Sequence, residues 1–453
     1  MDDWQQGKVV EIKITDLSDT GDGVGRKQER VVFVPDTVPG DSVVVRLTNV
    51  KHQYAHGKIQ KLIKSSPQRV RPSCIVADKC GGCQWQHIHY NYQLKAKQNQ
   101  VVQALGRIGC FRGISIDPIL AAPSPLNYRN KVTYSLGLST TGGIQAGYYQ
   151  KGSHKLINLN QCPVQDSRLN HFLAEIKKDI QRRNWKVYDE KLHQGQIRHL
   201  SLRIGRRTGE VLLTLVVKDE NISGIVEQAQ EWLDHYPLLV GVMLNMNGNR
   251  TNTIFGKETH CIAGMPYLLE KFAGLEFQIK GSTFFQVYTE TAEALVEVIK
   301  SELKLKGSEV LVDTYCGIGT LTLPLAKKVW QITGLEVQAE AVAQATLNAK
   351  NNGIQNASFY VGAVETILPK IHLQPDIVLL DPPRKGCDIA VIESLRQSKP
   401  KRIVYLSCKV STLARDLKLL CHDGMYTITR IQPADFFPQT SHVEVAAFLS
   451  CST

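Results

Sequence analysis

EVLVDTYCGIGTLTLPLAKK, the stretch from Glu309 to Lys328, reads as a short apolar strand, a turn with two glycines and a helix. Glycine at such a turn lets the backbone approach a ligand at the N-terminus of the helix. The next apolar run, WQITGLEV, ends close to Glu336, which lies 17 residues after Gly319. A carboxylate at the end of a second strand accepts hydrogen bonds from both hydroxyls of a ribose. The pattern therefore predicts a strand–turn–helix unit that binds a nucleoside-containing cofactor.

Residues 281–453 continue this alternation of strands and helices. The further strands are predicted at ASFYVGAVE, PDIVLLDPP, KRIVYLSC and HVEVAAFLS. Such alternation predicts a Rossmann-like α/β domain with an open, doubly wound parallel sheet, here with an antiparallel strand near its end. The glycines follow a G-x-G spacing, and not the longer fingerprint of dinucleotide binders. This turn fits adenosylmethionine at least as well as NAD.

Two further domains precede this one in a chain of 453 residues. Residues 1–64 contain β-branched runs separated by turn formers, which is typical of a small β-barrel. Barrels of this kind often bind RNA. Residues 65–280 begin with a linker and a cysteine cluster and continue as a central α/β domain. The sequence thus predicts three domains.

The net charge of +12 is concentrated in the middle of the chain. Residues 71–280 hold 26 basic and 16 acidic side chains, whereas residues 281–453 hold 17 of each. A basic domain beside a neutral one suggests a polyanion that is held by the first and modified by the second. A predicted hairpin in the basic part carries Arg203, Arg206 and Arg207, which either contact RNA or belong to a solvated turn.

No apolar run approaches the length of about eighteen residues that a membrane helix needs. The N-terminus lacks the basic start and the apolar core of a signal peptide. Both observations predict a cytoplasmic protein without a membrane partner. Its 11 cysteines are then expected to be reduced, so metal-binding and catalytic roles have to be weighed for them.

Two neighbouring strands of the predicted sheet end in reactive side chains. Asp381 follows the run IVLL and precedes two prolines, and Cys408 follows the run RIVYLS. Ligands of an open parallel sheet bind at the carboxyl ends of its strands, so both side chains are expected at the ligand. By residue type alone, Cys408 reads equally well as a small buried residue or as a nucleophile. Its place beside Asp381 favours the nucleophile.

A thiol next to a methyl donor suits the methylation of a pyrimidine. Carbon 5 of the ring is a poor nucleophile until a thiolate adds to carbon 6 and converts the ring into an enolate. A base must then remove the proton from carbon 5 so that the thiol can leave. Glu444, in the run FPQTSHVEVAAF, is the best candidate for this base, and His442 is a weaker alternative.

A cluster of cysteines lies in the run CIVADKCGGC, where Cys74, Cys80 and Cys83 are spaced C-x5-C-x2-C. The Cys-Gly-Gly-Cys turn can direct two thiolates at one metal centre, which needs a fourth ligand. Cys162, which precedes a proline, is the expected fourth ligand, and Cys110 is its rival. The cluster predicts an iron–sulfur centre or zinc rather than free thiols. Its spacing differs from the C-x3-C-x2-C of radical adenosylmethionine enzymes.

The chain resembles the bacterial RNA uracil-5-methyltransferases that carry an N-terminal TRAM domain. The resemblance spans essentially the whole chain and rests on GSTFFQVYTE, DTYCGIGT, DPPRKG, LSC, HVE and the cysteine cluster. It implies that Cys408 is the nucleophile and that Glu444 is the proton-abstracting base. The residues implied to hold S-adenosyl-L-methionine are Gln286, Tyr315, Glu336 and Asp381. The residues implied to hold a [4Fe-4S] cluster, with zinc as the alternative, are Cys74, Cys80, Cys83 and Cys162.

Two positions depart from the family pattern. Lys409 and Val410 stand where the family usually has Asn-Pro after the cysteine, which is expected to alter the loop around the thiol. Ala363 stands where the family often has an aspartate, which is expected to weaken a contact to adenine. Neither change removes a group that the chemistry requires.

The resemblance predicts a monomeric enzyme that methylates carbon 5 of a uridine in RNA. The target base must leave its stack to reach Cys408, so a single-stranded loop or bulge is the expected substrate. The barrel and the cysteine cluster favour ribosomal RNA, that of the large subunit, over transfer RNA. Two other classes were weighed: a non-catalytic RNA-binding protein, and an exocyclic-amine methyltransferase, which needs an aromatic residue where Arg384 stands.

Overall fold

The computed structural model of this chain describes residues 4–371 and 373–452. Its first unit is a closed barrel with the strand order β1-β2-β3-β5-β4. The strands are β1 (Val9–Leu17), β2 (Gly23–Lys27), β3 (Arg30–Val34), β4 (Ser42–Val50) and β5 (Tyr54–Lys64). Ile12, Val32 and Val45 are buried inside the barrel, because successive side chains of a strand point to opposite faces.

The second unit is a mixed sheet with helices on one face. Helix α1 (Tyr90–Arg107) precedes it in the chain, and its elements are β6 (Lys131–Leu138), β7 (Ile144–Tyr149), β8 (Leu156–Asn158), α2 (Leu169–Arg182), β9 (Ile197–Ile204), β10 (Val211–Val217), α3 (Ile225–His235), β11 (Leu239–Met246) and β12 (Glu258–Gly264). The strand order is β12-β11-β10-β9-β6-β7-β8. Apolar residues of α2 and α3, such as Leu173 and Trp232, share a core with Leu200 and Leu213 of the sheet.

The third unit contains the predicted parallel sheet. Its elements are β13 (Leu268–Phe272), β14 (Leu275–Ile279), α4 (Thr289–Leu303), β15 (Val310–Asp313), α5 (Thr322–Ala326), β16 (Gln331–Glu336), α6 (Ala339–Asn351), β17 (Ala357–Val361), α7 (Val364–Ile367), β18 (Ile377–Leu380), α8 (Ile389–Ser398), β19 (Arg402–Ser407), α9 (Val410–Leu420), β20 (Tyr426–Ala434) and β21 (Glu444–Cys451). Short 3₁₀ turns occupy Leu368–Lys370 and His422–Gly424.

The strand order of this sheet is β17-β16-β15-β18-β19-β21-β20. Strands β15 to β19 pair in parallel, and β21 runs antiparallel to β19. Strand order reverses after β15, which is the switch point at which open α/β sheets bind ligands. The predicted Rossmann-like domain with its antiparallel strand is therefore confirmed.

The hairpin of β13 and β14 packs with the third unit. Its residues Phe272 and Phe277 share a core with Leu295 of α4 and Leu311 of β15. The hairpin lies before residue 280, so packing and chain order do not divide the protein at the same point. The domain ranges 1–64, 65–280 and 281–453 stay predictions.

Helix α1 connects the barrel side of the molecule to the third unit. Lys97 of this helix forms an ion pair of 2.6 Å with Asp435, and both side chains are fully buried. Just before the helix, the indole nitrogen of Trp85 donates to the carbonyl of Gly21 in the barrel at 3.0 Å. These contacts hold the barrel close to the carboxyl edge of the parallel sheet.

Across the described parts of the chain, no helix combines the length and the apolar character that crossing a lipid bilayer requires.

Candidate active site

The edge of the third unit's sheet brings Asp381, Cys408 and Glu444 together. Asp381 follows the last residue of β18, and Cys408 follows the last residue of the neighbouring strand β19. Ser407 pairs with Val445 across antiparallel strands, so the register places Cys408 opposite Glu444. Three side chains from separate stretches of sequence therefore meet because β18, β19 and β21 are neighbours in the sheet.

Burial and nearby carboxylates disfavour the charged forms of these three groups. Burial and the nearby Asp381 raise the pKa of Glu444 to about 8. Burial, with a smaller effect of Asp313, raises the pKa of Asp381 to about 7. Burial, Glu444 and Asp381 raise the pKa of the Cys408 thiol to about 11. A cation placed among the three groups would therefore favour their charged forms.

Arg384, unlike Glu444 and Asp381, favours the charged form of the Cys408 thiol. Its positive charge lowers the pKa of Cys408, although burial has the larger effect. It also helps to lower the pKa of His442, for which burial is again the main cause. The ring of His442 contacts Phe437 edge-on, with 5.9 Å between the ring centroids. The weaker candidate base thus also lies in this neighbourhood.

The glycine turn has the geometry of a cofactor site. Gly317 and Gly319 adopt φ angles of 53° and 87°, which residues with a Cβ atom rarely adopt. The amide of Gly317 donates to the Glu336 carboxylate at 3.2 Å. A Cβ atom added to Gly317 would meet no atom within 4 Å, so open space lies beside the turn. The turn and the carboxylate therefore fit a nucleoside whose ribose hydroxyls face Glu336.

Tyr315 is partly buried behind this turn. Its hydroxyl forms a hydrogen bond with the thiol of Cys387, and burial raises the pKa of Tyr315. The amide of Cys387 donates to Asp416 at 2.9 Å, and Tyr405 donates to the same carboxylate oxygen at 2.6 Å. Tyr315 thus rests on a network that also supports the loop after Asp381.

Gln286 lies on the segment between β14 and α4. Its backbone carbonyl accepts a hydrogen bond of 2.9 Å from the side chain of Asn130. Over the described residues, no hydrogen bond or ion pair joins Gln286 to Tyr315, Glu336 or Asp381. The other predicted cofactor residues sit around the glycine turn and the strand ends, and the placement of Gln286 with them stays a prediction.

A groove of about 830 Å³ runs from the barrel to Cys408. Barrel residues such as Arg26 and Phe33 line one part of it, and Gln100 and Arg107 of α1 line another. Arg384 and Lys409 lie beside the thiol at the far end. Cys408 is partly exposed and opens into a channel with polar and basic walls.

Two family models match the chain. The model described as tRNA (Uracil-5-)-methyltransferase matches residues 89–452, and the TRAM domain matches residues 3–59. The chain belongs to the tRNA (uracil-5-)-methyltransferase family. The predicted RNA methyltransferase with an N-terminal TRAM barrel is therefore confirmed.

Relatives of this RNA methyltransferase match along its whole length. An uncharacterized RNA methyltransferase of Nostoc sp. is 70% identical over 449 residues, which are 99% of this chain and 98% of that protein. An uncharacterized RNA methyltransferase of Halalkalibacterium halodurans is 36% identical and covers 97% of this chain and 96% of its own. Among solved structures, the Pyrococcus abyssi tRNA (uracil-54, C5)-methyltransferase in complex with S-adenosyl-L-homocysteine matches with a TM-score of 0.78. Its sequence is 28% identical, and the match covers 97% of this chain and 100% of that one.

The cysteine cluster of this methyltransferase surrounds one small cavity. Its lining includes all four predicted ligands: Cys74, Cys80, Cys83 and Cys162. Burial raises the pKa of Cys83 to about 11, and the nearby Cys162 and Cys80 add to the rise. Cys110, the rival fourth ligand, is instead exposed beside Lys418, with 3.3 Å between sulfur and nitrogen. The cavity formed by the other four thiols does not include Cys110, and the choice of Cys162 as fourth ligand stays a prediction.

The metal itself is not supported by the arrangement of side chains. In residues 4–371 and 373–452, no group of three or more His, Cys, Asp or Glu side chains is arranged to hold a metal ion. Zinc needs four ligands within one tetrahedron, whereas the ligands of a cubane sit on different irons and stand further apart. Either metal centre at this shared cavity therefore stays a prediction.

Sequence reasoning assigned no part in the reaction to two residues of the active site. Asp313 is fully buried at the end of β15, where burial raises its pKa to about 6. Arg384 was considered only as an argument against another enzyme class, yet its charge acts on Cys408. Its place three residues after Asp381, in the loop DPPRKG, was the signal that could have identified it.

Proposed function

We propose that this enzyme transfers the methyl group of S-adenosyl-L-methionine to carbon 5 of a uridine in RNA through a covalent bond between Cys408 and carbon 6. The register that sets Cys408 opposite Glu444, next to Asp381, carries the proposal. A thiol and a carboxylate at the ligand edge of one sheet are the two groups that this reaction needs. An exocyclic-amine methyltransferase would need neither.

The proposed reaction begins with Cys408. Its sulfur forms a bond to carbon 6, and the electrons of the C5=C6 double bond move into an enolate. Carbon 5 then takes the methyl group, the sulfonium bond to that methyl breaks, and S-adenosyl-L-homocysteine is left. Glu444 removes the proton from carbon 5, the double bond re-forms, and Cys408 leaves as a thiolate.

Because the pKa values of Cys408 and Glu444 are raised, the methyl donor has a second role, which is to favour the charged forms of these two groups. The donor supplies an electrophilic methyl group on a positively charged sulfur. In the free protein, Cys408 and Glu444 favour their protonated forms, which can neither add to the ring nor accept a proton. A positive charge near Asp381 lowers both pKa values by Coulombic attraction. Binding of the donor thus prepares the thiolate and the carboxylate together.

We propose that Glu336 holds the ribose of the donor and that the backbone at Gly317 lies against it. The open space beside the turn and the carboxylate at the end of β16 support this assignment. Tyr315, Gln286 and Asp381 complete the proposed set, with Asp381 near the methyl group or the uracil. Ala363 faces the adenine in this scheme, so the donor is held there without a carboxylate.

The RNA is proposed to enter through the groove between the barrel and Cys408. Four basic and two acidic side chains line the groove, and the central domain carries most of the excess positive charge of the chain. A uridine in a loop or bulge reaches Cys408 at a lower energetic cost than a paired one. We propose ribosomal RNA of the large subunit as the substrate and a monomer as the active form.

Transfer RNA is the second candidate substrate. The family description names tRNA, and the similar Pyrococcus abyssi enzyme is a tRNA (uracil-54, C5)-methyltransferase. Mapping 5-methyluridine in ribosomal and transfer RNA from a deletion strain separates the two candidates. Loss of 5-methyluridine from ribosomal RNA alone supports ribosomal RNA as the substrate. Loss of 5-methyluridine from transfer RNA alone identifies transfer RNA as the substrate instead.

We also propose that Cys74, Cys80, Cys83 and Cys162 hold a [4Fe-4S] cluster. Their shared cavity supports it, and such a cluster would link the segment before α1 to the loop before α2. Its role would be structural or RNA-positioning, since four protein ligands would leave no iron open. Iron and sulfide analysis of protein purified without oxygen tests this assignment, and bound zinc without iron would replace the cluster by the alternative metal.

A tritium-release assay tests the central reaction. RNA from a deletion strain grown on [5-³H]uridine is incubated with the enzyme and S-adenosyl-L-methionine, and tritium in the water is counted. Methylation of carbon 5 releases this tritium, whereas methylation of an exocyclic amine or a ribose does not. Methyl incorporation without tritium release would contradict the proposed chemistry.

A further inference from the structure

The central sheet has one face that its helices do not cover. Residues that alternate with the core along β6 and β9 lie on this face: Lys131, Thr133, Ser135, His199, Ser201 and Arg203. Thr214 of β10 continues the row, because it pairs with Ser201. The hydroxyls of Thr133 and Ser201 lie 2.9 Å apart. This row, called here the polar face, presents hydroxyls, an imidazole and two cations.

Arg203 differs from the other two arginines of its hairpin. Arg206 forms ion pairs with Asp166 and Glu290, and Arg207 pairs with Glu293. Both of these arginines are therefore paired with carboxylates. Arg203 is only 2% exposed, and its Nη2 donates to the carbonyl of Thr283 at 2.6 Å. Among the residues that the structure describes, its Nε and Nη1 atoms have no hydrogen-bond partner.

Lys131 lies directly opposite Arg203 in the antiparallel pair of β6 and β9. Like charges at opposed positions of a sheet destabilise it. The ammonium of Lys131 sits over the ring of Phe255, 4.7 Å from the centroid. Burial and Arg203 lower the pKa of Lys131 to about 6, and burial lowers the pKa of Arg203 to about 9. No carboxylate contributes to either shift, so among the described residues the lysine and the arginine face each other without an anion.

The polar face borders the proposed active site. Thr283, which accepts from Arg203, lies on the segment that carries Gln286. Asn130, next to Lys131, donates to the carbonyl of Gln286 at 2.9 Å. The imidazole Nδ1 of His199 also lacks a hydrogen-bond partner. Buried donors without partners are uncommon in proteins, and here they occur beside the segment that is proposed to contact the methyl donor.

We propose that the polar face binds a phosphate of the RNA strand that carries the target uridine, with Lys131 and Arg203 as the charged contacts. The inference rests on the proposed function, because it takes the bound anion to be the substrate RNA. A phosphate offers several acceptor oxygens, which match the lysine ammonium, the guanidinium and the hydroxyl row. Its negative charge favours the charged form of Lys131 beside Arg203. The methionine carboxylate of the methyl donor is the other source of an anionic oxygen, and the test below separates the two.

The experiment measures binding of a fluorescent 20-nucleotide oligouridylate to the full-length protein over a range of KCl concentrations. Each phosphate contact contributes about −0.7 to the slope of log K against log salt for a single strand. Lys131→Gln is therefore expected to make the slope less negative by about 0.7, and Lys131→Arg to preserve it. Lys178→Gln is the matched control, since Lys178 is an exposed lysine of α2, on the opposite face of the same sheet.

S-Adenosyl-L-methionine binding is measured on the same variants by calorimetry. Unchanged binding of the methyl donor together with the altered slope supports the phosphate site. A wild-type slope in Lys131→Gln, or no binding of oligouridylate by the wild type, overturns the inference. A loss of donor binding with an unchanged RNA slope assigns the polar face to the carboxylate instead. Tritium release is independent of this measurement, so a failure of the proposed chemistry is distinguished from a failure of the phosphate site.

Discussion

Glu444 stands opposite Cys408 because Ser407 and Val445 are paired in antiparallel strands β19 and β21. A one-residue shift of this register would move either side chain to the other face of the sheet. The antiparallel strand thus has a direct chemical consequence, since it returns the chain to the carboxyl edge of the sheet and starts there with a carboxylate.

Replacing the thiol tests the nucleophile. Cys408→Ala is expected to lower methyl transfer by at least about a thousandfold, because no other group can activate carbon 5. S-Adenosyl-L-methionine binding, measured by calorimetry, is expected to be unchanged. Cys110→Ala is the matched control, because Cys110 is exposed and lies against Lys418. Methyl transfer at the wild-type rate by Cys408→Ala would falsify the addition mechanism.

Replacing the base is expected to trap the intermediate. Glu444→Gln cannot remove the proton from carbon 5, so the bond between Cys408 and the RNA persists after methyl transfer. A denaturing gel should show a slowly migrating protein–RNA band that is absent for Cys408→Ala/Glu444→Gln. His442→Gln should turn over without accumulating this band. If the band accumulates for His442→Gln and not for Glu444→Gln, the base is His442.

The reactivity of Cys408 should depend on pH and on the charge of the bound ligand. With a pKa of about 11, the thiolate is a minor species at pH 8, and its fraction rises tenfold per pH unit up to the pKa. A positively charged ligand lowers this pKa and so raises the alkylation rate at pH 8. We expect S-adenosyl-L-methionine to accelerate alkylation by iodoacetamide, and S-adenosyl-L-homocysteine, which lacks the sulfonium charge, to do so much less.

Alkylation is followed by mass spectrometry of the peptide that contains Cys408, so that other cysteines do not interfere. Arg384→Gln removes a charge that lowers the pKa of the thiol, and it should slow alkylation in the free protein. Equal acceleration by both ligands would mean that binding acts on access to the thiol and not on its charge.

The ion pair of Lys97 and Asp435 should behave as a coupled unit. Lys97→Met leaves a carboxylate buried without its partner, which is expected to cost about 3–5 kcal/mol of stability. Asp435→Leu likewise leaves the ammonium of Lys97 buried without its partner. The double variant removes both charges and is expected to recover most of the loss, as measured by urea denaturation. Additive losses in the double variant would show that the two charges are not coupled.

The cysteine cluster is tested by colour and iron content. Cys83→Ser should remove the brown absorbance and the bound iron of protein purified without oxygen. Cys261→Ser, at an exposed cysteine of β12, is the control and should retain both. A colourless wild-type protein would contradict the cluster.

The local sequence was sufficient to predict the strands, the turn and the helix that carry the proposed catalytic and cofactor-binding residues. The apolar run before Asp313, the two glycines and Glu336 specify a strand, a turn and a helix by periodicity and by backbone freedom. Asp381 and Cys408 could be assigned to strand ends, because an apolar run that stops at a polar residue marks the edge of a buried strand. The barrel and the antiparallel final strand followed from the same local signals.

Pairing between distant segments was beyond the reach of the sequence. The order β17-β16-β15-β18-β19-β21-β20 in the sheet departs from the order of the chain at both ends, and the pairing of β21 with β19 brings Glu444 to Cys408 and Asp381. The same holds for the action of Arg384 on the thiol and for the facing pair of Lys131 and Arg203. Periodicity describes what one segment exposes or buries, whereas contacts depend on the register and packing of segments that can lie hundreds of residues apart.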